Sequence, residues 1–263
     1  MLARQRQALI LDELRRTGGV RVSELTELLG VSDMTIRRDL EQLAADGVLQ
    51  KVHGGAVLSG NVTEEPGFEA KRALEQPSKR AIAARAAALV KPGTAIALSA
   101  GTTTWAMAQH LASVRGLTVV TNSTTVADTI ATLGDPTQQT VILTGGVRTP
   151  SAALVGPVAD LTIRSLHVDQ LFLGAHGFDG NAGLTTPNLA EAETNRALIA
   201  SARQVIVLAD STKWGMVGLA DFGPLSAADV VITDEALPAD ARATLEDAVD
   251  ELILVAPEVP TGA

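Results

Sequence analysis

Between residues 94 and 255 short apolar runs, mostly β-branched, alternate with stretches of helical periodicity. The strand-like runs are 94–98, 117–121, 140–144, 170–173, 204–209, 229–233 and 251–255, while helical patterns fill 79–90, a stretch ending at Leu111, 124–133, 189–202 and 239–248. Strands that are apolar on both faces belong in the interior of a parallel sheet, where crossover helices cover them from either side. The alternation therefore predicts an α/β, Rossmann-like domain over residues 78–256.

In open sheets of this kind ligands sit outside the carboxyl ends of the strands. Five polar or glycine-rich clusters fall at such ends: Gly101-Thr102-Thr103-Thr104, Thr121-Asn122-Ser123, Gly145-Gly146-Val147-Arg148, Gly174-Ala175-His176-Gly177 and Asp210-Ser211-Thr212-Lys213. The first joins a strand to a helix, which places backbone N–H groups, hydroxyls and the helix dipole where they can cradle a phosphate. Arg148 and Lys213 are the cations on offer to an anionic ligand, and Asn122 and His176 could read its hydroxyls. Taken singly, each has a plain structural alternative: a Thr-capped turn, a surface lysine, a hydrogen-bonding histidine. Their convergence on one rim makes them a candidate effector site. Trp105 and Trp214 lie beside the threonine loop and Lys213, so they are possible optical reporters as well as packing groups.

The first 58 residues follow a different pattern. Residues 22–29 form a short amphipathic helix stopped by Gly30, which takes the left-handed turn at no Cβ cost. A second helix begins after Ser32, a good N-cap, with Asp33 in its first turn and Ile36, Leu40 and Leu43 on one stripe. The opposite face carries Met34, Arg38 and Glu41, flanked by Thr35, Arg37 and Gln42. Helix, glycine turn, helix is the plan whose second member enters the major groove. A preceding helix over 2–16, with Leu2, Leu9, Ile10 and Leu14 on its apolar side, would support it from behind. Two short strands around His53-Gly54-Gly55 follow and complete a winged helix, mainly α, with Lys51 and His53 placed for backbone phosphates. The polar stretch from Ser59, rich in Pro and Gly, reads as a linker over 59–77.

A net charge of -9 looks wrong for a DNA-binding chain until it is divided. Residues 1–60 hold eight basic and eight acidic side chains; the remaining 13 basic and 22 acidic residues carry the whole excess. An acidic body repels phosphates and confines contact with double-stranded DNA to the N-terminal module, whose modest basicity implies few phosphate contacts per subunit. Useful affinity then calls for a homo-oligomer, dimer or tetramer, on repeated half-sites. Cys is absent, which excludes disulfides and thiol catalysis and fits a reducing cytoplasm. The opening residues lack the pattern of a secretory leader, and no long uncharged apolar run suggests a membrane span.

The segments 4–11, 22–25, Gly30-Val31-Ser32 to Thr35-Ile36-Arg37-Arg38-Asp39-Leu40, and Val52-His53-Gly54-Gly55-Ala56 together resemble the N-terminal signature of the DeoR family of bacterial transcriptional regulators. Gly101 to Thr104, Thr121-Asn122, Leu143 to Gly146, Phe172 to Ala175, Gly183 to Pro187 and Ala209 to Lys213 resemble that family's sensor domain. The resemblance implies a sensor related in fold to ribose-5-phosphate isomerase A and CoA transferases, responding to a phosphorylated sugar or related metabolite. At two positions the chain departs from the family pattern. Ser99 precedes the Ala-Gly-Thr-Thr-Thr loop and His176 follows Gly174-Ala175, where the family usually has Asp.

The expected function is a sequence-specific regulator, most simply a repressor of sugar or carbohydrate metabolism genes, released from its operator by the effector, with no cofactor or metal. One alternative is a sugar-phosphate isomerase carrying a winged helix, which would need a carboxylate base such as Glu191, Glu193 or Asp179. A second is a winged-helix module that binds protein.

Overall fold

The computed structural model describes residues 3–17, 19–45, 49–52, 55–58, 67–68, 72 and 76–257. It divides into two compact units, Met1–Glu64 and Glu65–Ala263. Most of the stretch expected as a linker, 59–66, 69–71 and 73–75, lies outside the described residues.

The first unit runs α1 (Ala3–Thr17), β1 (Gly19–Arg21), α2 (Val22–Leu29), α3 (Asp33–Ala45), β2 (Leu49–Val52) and β3 (Gly55–Leu58). Gly30 ends α2 at φ 64°, and its N–H donates to the Thr26 carbonyl, as a left-handed C-cap should. Ile10, Leu14, Leu25, Ile36, Leu40, Leu43 and Leu49 form one core. Leu9, expected on the buried side of α1, is 44% exposed instead. The strand β1 is an addition to the expected hairpin: it pairs antiparallel with β3, giving the order β1-β3-β2. That pairing explains Gly55, because a Cβ there would lie 2.0 Å from the Val20 carbonyl oxygen.

The second unit opens with α4 (Gln76–Ala87). Its main sheet comprises β4 (Ala95–Leu98), β5 (Leu117–Thr121), β6 (Gln139–Leu143), β9 (Val168–Gly174), β12 (Ala202–Leu208), β14 (Val230–Asp234) and β15 (Glu251–Val255). All seven are parallel, in the order β15-β14-β12-β9-β4-β5-β6. Alternate side chains enter two cores, as the pleat requires. Phe172, Ile206, Leu208 and Ile232 face one side, packing with Ile82 and Ala86 of α4, Met107 of α5 (Thr102–Ala108) and Ile130 of α6 (Thr124–Leu133). Leu171, Leu173, Val205, Val207 and Val231 face the other, packing with Ile163 of α7 (Pro157–Arg164), Leu198 of α8 (Leu189–Ser201) and Leu245 of α9 (Ala239–Ala248). This is the doubly covered parallel sheet that the sequence predicts. The short antiparallel pieces are absent from that prediction: β7 (Val147–Arg148) with β8 (Leu154–Val155), and β10 (Gly177–Asp179) and β13 (Ala220–Gly223) on either side of β11 (Gly183–Thr186). Among the described residues, no helix is long and apolar enough to cross a membrane.

Candidate functional sites

The solvent face of α3 is built as its periodicity demands. Ile36, Leu40 and Leu43 are buried, while Ser32, Arg37, Arg38, Glu41 and Gln42 are exposed and Met34 is 78% exposed. Ser32 shares a hydroxyl hydrogen bond of 2.9 Å with Thr35, and its carbonyl accepts the Thr35 N–H. This holds both polar side chains at the helix start, where a phosphate contact would lie.

The two arginines are not equivalent. Arg37 is fastened to Asp33 one turn back, Nε to Oδ1 at 2.5 Å, and this hydrogen bond holds its guanidinium pKa above the ordinary value. Arg38 stands on the same exposed face without that tether. Lys51 lies in β2, and its side chain is outside the described residues, as is all of His53.

Asp39, between these arginines and Leu40, is 5% exposed and accepts hydrogen bonds from the Arg6 guanidinium of α1, one of them 3.1 Å long. That hydrogen bond raises the Arg6 pKa. The pair ties α1 to the back of α3 and so fixes the angle at which α3 is presented. The apolar periodicity of α3 conceals it, because Asp39 lies beside the stripe instead of on it.

The second candidate site is a cavity of about 870 Å³, open mouth included, at the carboxyl ends of β12, β9, β4 and β5. Six of the expected effector residues line it: Gly101, Thr102, Thr103, Asn122, His176 and Lys213. Four do not. Thr104 is fully buried and donates its hydroxyl to the Gly101 carbonyl, acting as a helix-start brace. Gly145 and Gly146 take φ of 74° and 118°, and a Cβ on Gly146 would meet the Val155 carbonyl oxygen at 2.6 Å, so these glycines serve the close approach of β8. Arg148 is exposed in β7, which pairs with β8 away from the lining.

Asn122 lines the cavity, but its amide is taken up by backbone: Oδ1 accepts the Ala100 N–H at 2.9 Å and Nδ2 donates to the Leu154 carbonyl at 3.2 Å. It clamps the β4 and β5 ends together. Ser99 does similar work, accepting the Gly174 N–H at 2.9 Å to join the ends of β4 and β9.

Three further charged residues line the cavity: Lys79, Glu191 and Asp210, whose Oδ1 accepts the Thr212 hydroxyl. Lys79 of α4 is 6% exposed and reaches the cavity from the helix that opens the second unit. A signal for it exists in the sequence, since Lys79 falls on the same stripe as Ile82, Ala83, Ala86 and Val90, all buried; a lysine on a core stripe needs an anionic or polar destination. Glu191, in the first turn of α8 behind the Asn188 cap, accepts hydroxyls from Thr149, Ser151 and Thr186. It secures the loop before β8 to the end of β11. The other two carboxylates considered as bases are elsewhere: Glu193 pairs with Arg196 at 2.6 Å, and Asp179 caps the β10–β11 turn. The tryptophans pack at the margin. Phe68, itself in the lining, meets Trp105 edge-on at 5.9 Å, and Phe178 meets Trp214 at 5.3 Å.

Comparison with known proteins matches both units. Residues 6–61 match the DeoR-like helix-turn-helix domain and residues 74–235 the DeoR C-terminal sensor domain. The HTH-type transcriptional regulator YgbI of Escherichia coli is 40% identical over 93% of this chain and 95% of its own length. The regulator GlpR of Haloferax volcanii is 36% identical, with 94% and 96% covered, and the glycerol-3-phosphate regulon repressor of Escherichia coli is 32% identical, with 92% and 95% covered. Among solved structures, a D-ribose-5-phosphate isomerase with phospho-erythronic acid aligns over 53% of this chain and 54% of its own at 16% identity and a TM-score of 0.39. With both domains matched in order and near full-length relatives on both sides, the chain belongs to the DeoR family of helix-turn-helix transcriptional regulators.

Proposed function

We propose that this protein is a repressor of sugar or carbohydrate metabolism genes, released from a double-stranded operator when a phosphorylated sugar or related metabolite fills the cavity of its second unit. The observation that carries the reading is the solvent face of α3, where Ser32, Met34, Thr35, Arg37 and Arg38 oppose a buried stripe of Ile36, Leu40 and Leu43. Arg38 reads a base edge in the major groove, and Ser32, Thr35 and Arg37 position the backbone. The eight-to-eight charge balance of residues 1–60 limits what one subunit can hold, so we place two or four copies on repeated half-sites.

The effector half rests on the cavity and its two lysines, Lys79 and Lys213, at the strand ends where α/β sheets take ligands. A relative named for the glycerol-3-phosphate regulon supports a phosphorylated ligand. Effector and operator then compete through the subunit arrangement; a coupling of roughly 1–3 kcal/mol changes DNA affinity about 5–150-fold. A catalytic role is not part of this reading. Of the three carboxylates weighed as bases only Glu191 lines the cavity, and both its oxygens accept protein hydroxyls.

The deciding experiment titrates purified protein onto its own promoter DNA and adds sugar phosphates in turn. Specific binding released by one compound sustains the whole proposal. Specific binding that none alters keeps the DNA half alone, and turnover of a pentose phosphate would replace it with the isomerase.

A further inference from the structure

The polar groups that line the cavity fall into two sets, those the protein has already used and those it leaves over. Asn122 holds backbone at both ends of its amide, and Glu191 receives the hydroxyls of Thr149, Ser151 and Thr186. Lys79 and His176 also have partners within the chain. None of these four defines a ligand by an unmet need.

Asp210 does. It is 2% exposed just after β12; its Oδ1 accepts the Thr212 hydroxyl, and its Oδ2 has no donor among the described residues. Its place is fixed, because Ser211 donates both its N–H and its hydroxyl to Asp234 at 2.8 Å, and the Lys213 N–H donates to the Asp210 carbonyl at 3.0 Å. A buried carboxylate oxygen without a donor is costly, so a ligand that brings a donor is favoured over one that does not. Asn195, one turn after Glu191 on α8, lines the same cavity with an amide that has no partner among the described residues and can both donate and accept.

The other side chains left over suit an anion. They are the Lys213 ammonium and the hydroxyls of Thr102 and Thr103, residues only 9% and 7% exposed. A phosphate answers these donors but not Asp210, to which an ionised phosphate brings acceptors and a like charge. A hydroxyl gives its hydrogen to the carboxylate and keeps its oxygen for a donor such as the Asn195 amide. On the effector reading of this cavity, we propose that Asp210, assisted by Asn195, reads a hydroxyl of the ligand while Lys213, Thr102 and Thr103 hold its phosphate. The class selected is a phosphate ester with hydroxyls along its carbon chain, and the deoxygenated ester of the same length is rejected.

The test titrates the full chain by calorimetry with matched esters: glycerol, erythritol and ribitol phosphates against propyl, butyl and pentyl phosphates. At one chain length at least, the polyol ester binds tighter than its alkyl counterpart by about tenfold or more, the scale of a hydrogen bond to a charged group. Asp210→Ala brings the two within about threefold of each other by weakening the polyol ester alone, Asn195→Ala narrows the gap in part, and Lys213→Ala weakens both esters alike. Should Asp210→Ala fail to fold, Asp210→Asn carries the test: it keeps the shape, exchanges a charged acceptor for a neutral amide, and narrows the gap by about threefold or more. Polyol and alkyl esters bound equally by the unaltered chain, or a preference that survives substitution of Asp210, overturn this inference and leave the effector reading in place. If no phosphate ester binds, the effector reading itself fails and takes this one with it.

Discussion

The two units of this chain hold their functional residues in opposite ways. Everything α3 offers to DNA lies between Ser32 and Gln42, on one helix, sorted into core and solvent faces by the helix period alone. The cavity gathers its charges from α4, from the ends of β9 and β12 and from the start of α8, so that Lys79 and Lys213 meet across 134 positions of sequence. A site carried by one element depends on that element and on the small module that presents it. A site carried by a rim depends on every strand neighbour relation that builds the rim.

Substitutions can break this contrast or sharpen it. The largest effect is expected of Gly55→Ala, because the new Cβ would be driven into the Val20 carbonyl: the N-terminal module should lose more than about 4 kcal/mol and specific DNA binding with it. Calorimetry should then show the second unit's transition and its ligand binding unaltered, and loss of both would mean the units do not fold independently. Next comes Arg38→Ala, which should lower operator affinity by about 5–150-fold, the worth of one bidentate base contact, at unchanged thermal stability. Retained affinity in a gel-shift titration would remove Arg38 from the interface. Lys213→Ala should leave ligand-free DNA binding intact and raise the effector concentration needed for release by about tenfold, as the loss of one charge-assisted contact would; an unchanged response relocates the pocket. The smallest effect belongs to Asp33→Asn. Its ion pair with Arg37 is more than half exposed, so untethering Arg37 should change operator affinity by no more than about threefold, fading further at high salt. A tenfold change would show that the pair sets the geometry of the interface.

The same contrast decides what was legible in the sequence. Helix α3 and the Gly30 turn follow from spacing and cap chemistry, which act over a few residues. The strand Leu117–Thr121 coincides with its apolar run because burial on both faces dictates it, and the edge strand Glu251–Val255, only partly buried, coincides with its run as well. The strand β1 is three residues long and exists through its pairing with β3, and β7 and β8 are two residues each, so no local period announces them. Arg148 looked like a site residue because its cluster ends a strand, but Gly145 and Gly146 turn the chain toward β8 and carry it off the rim. Lys79 and Asp39 are hard to read from the sequence for one shared reason: each is a charged side chain on or beside a core stripe, Asp39 held by Arg6 of α1 and Lys79 lining a cavity whose other walls are distant in sequence. The residues that the structure adds are those whose meaning depends on a neighbour.

Strand order also sets a timetable. The N-terminal module is complete within its first 58 residues, and its pairings are local. In the main sheet β4 gains its second neighbour only when β9 exists, since Ile96 pairs with Gln170. At a synthesis rate of about 5–20 residues per second, the 74 residues between them take roughly 4–15 s to appear, and Lys213 follows later still. Each new molecule therefore presents a finished α3 some seconds before all the strand ends that line the cavity have been made.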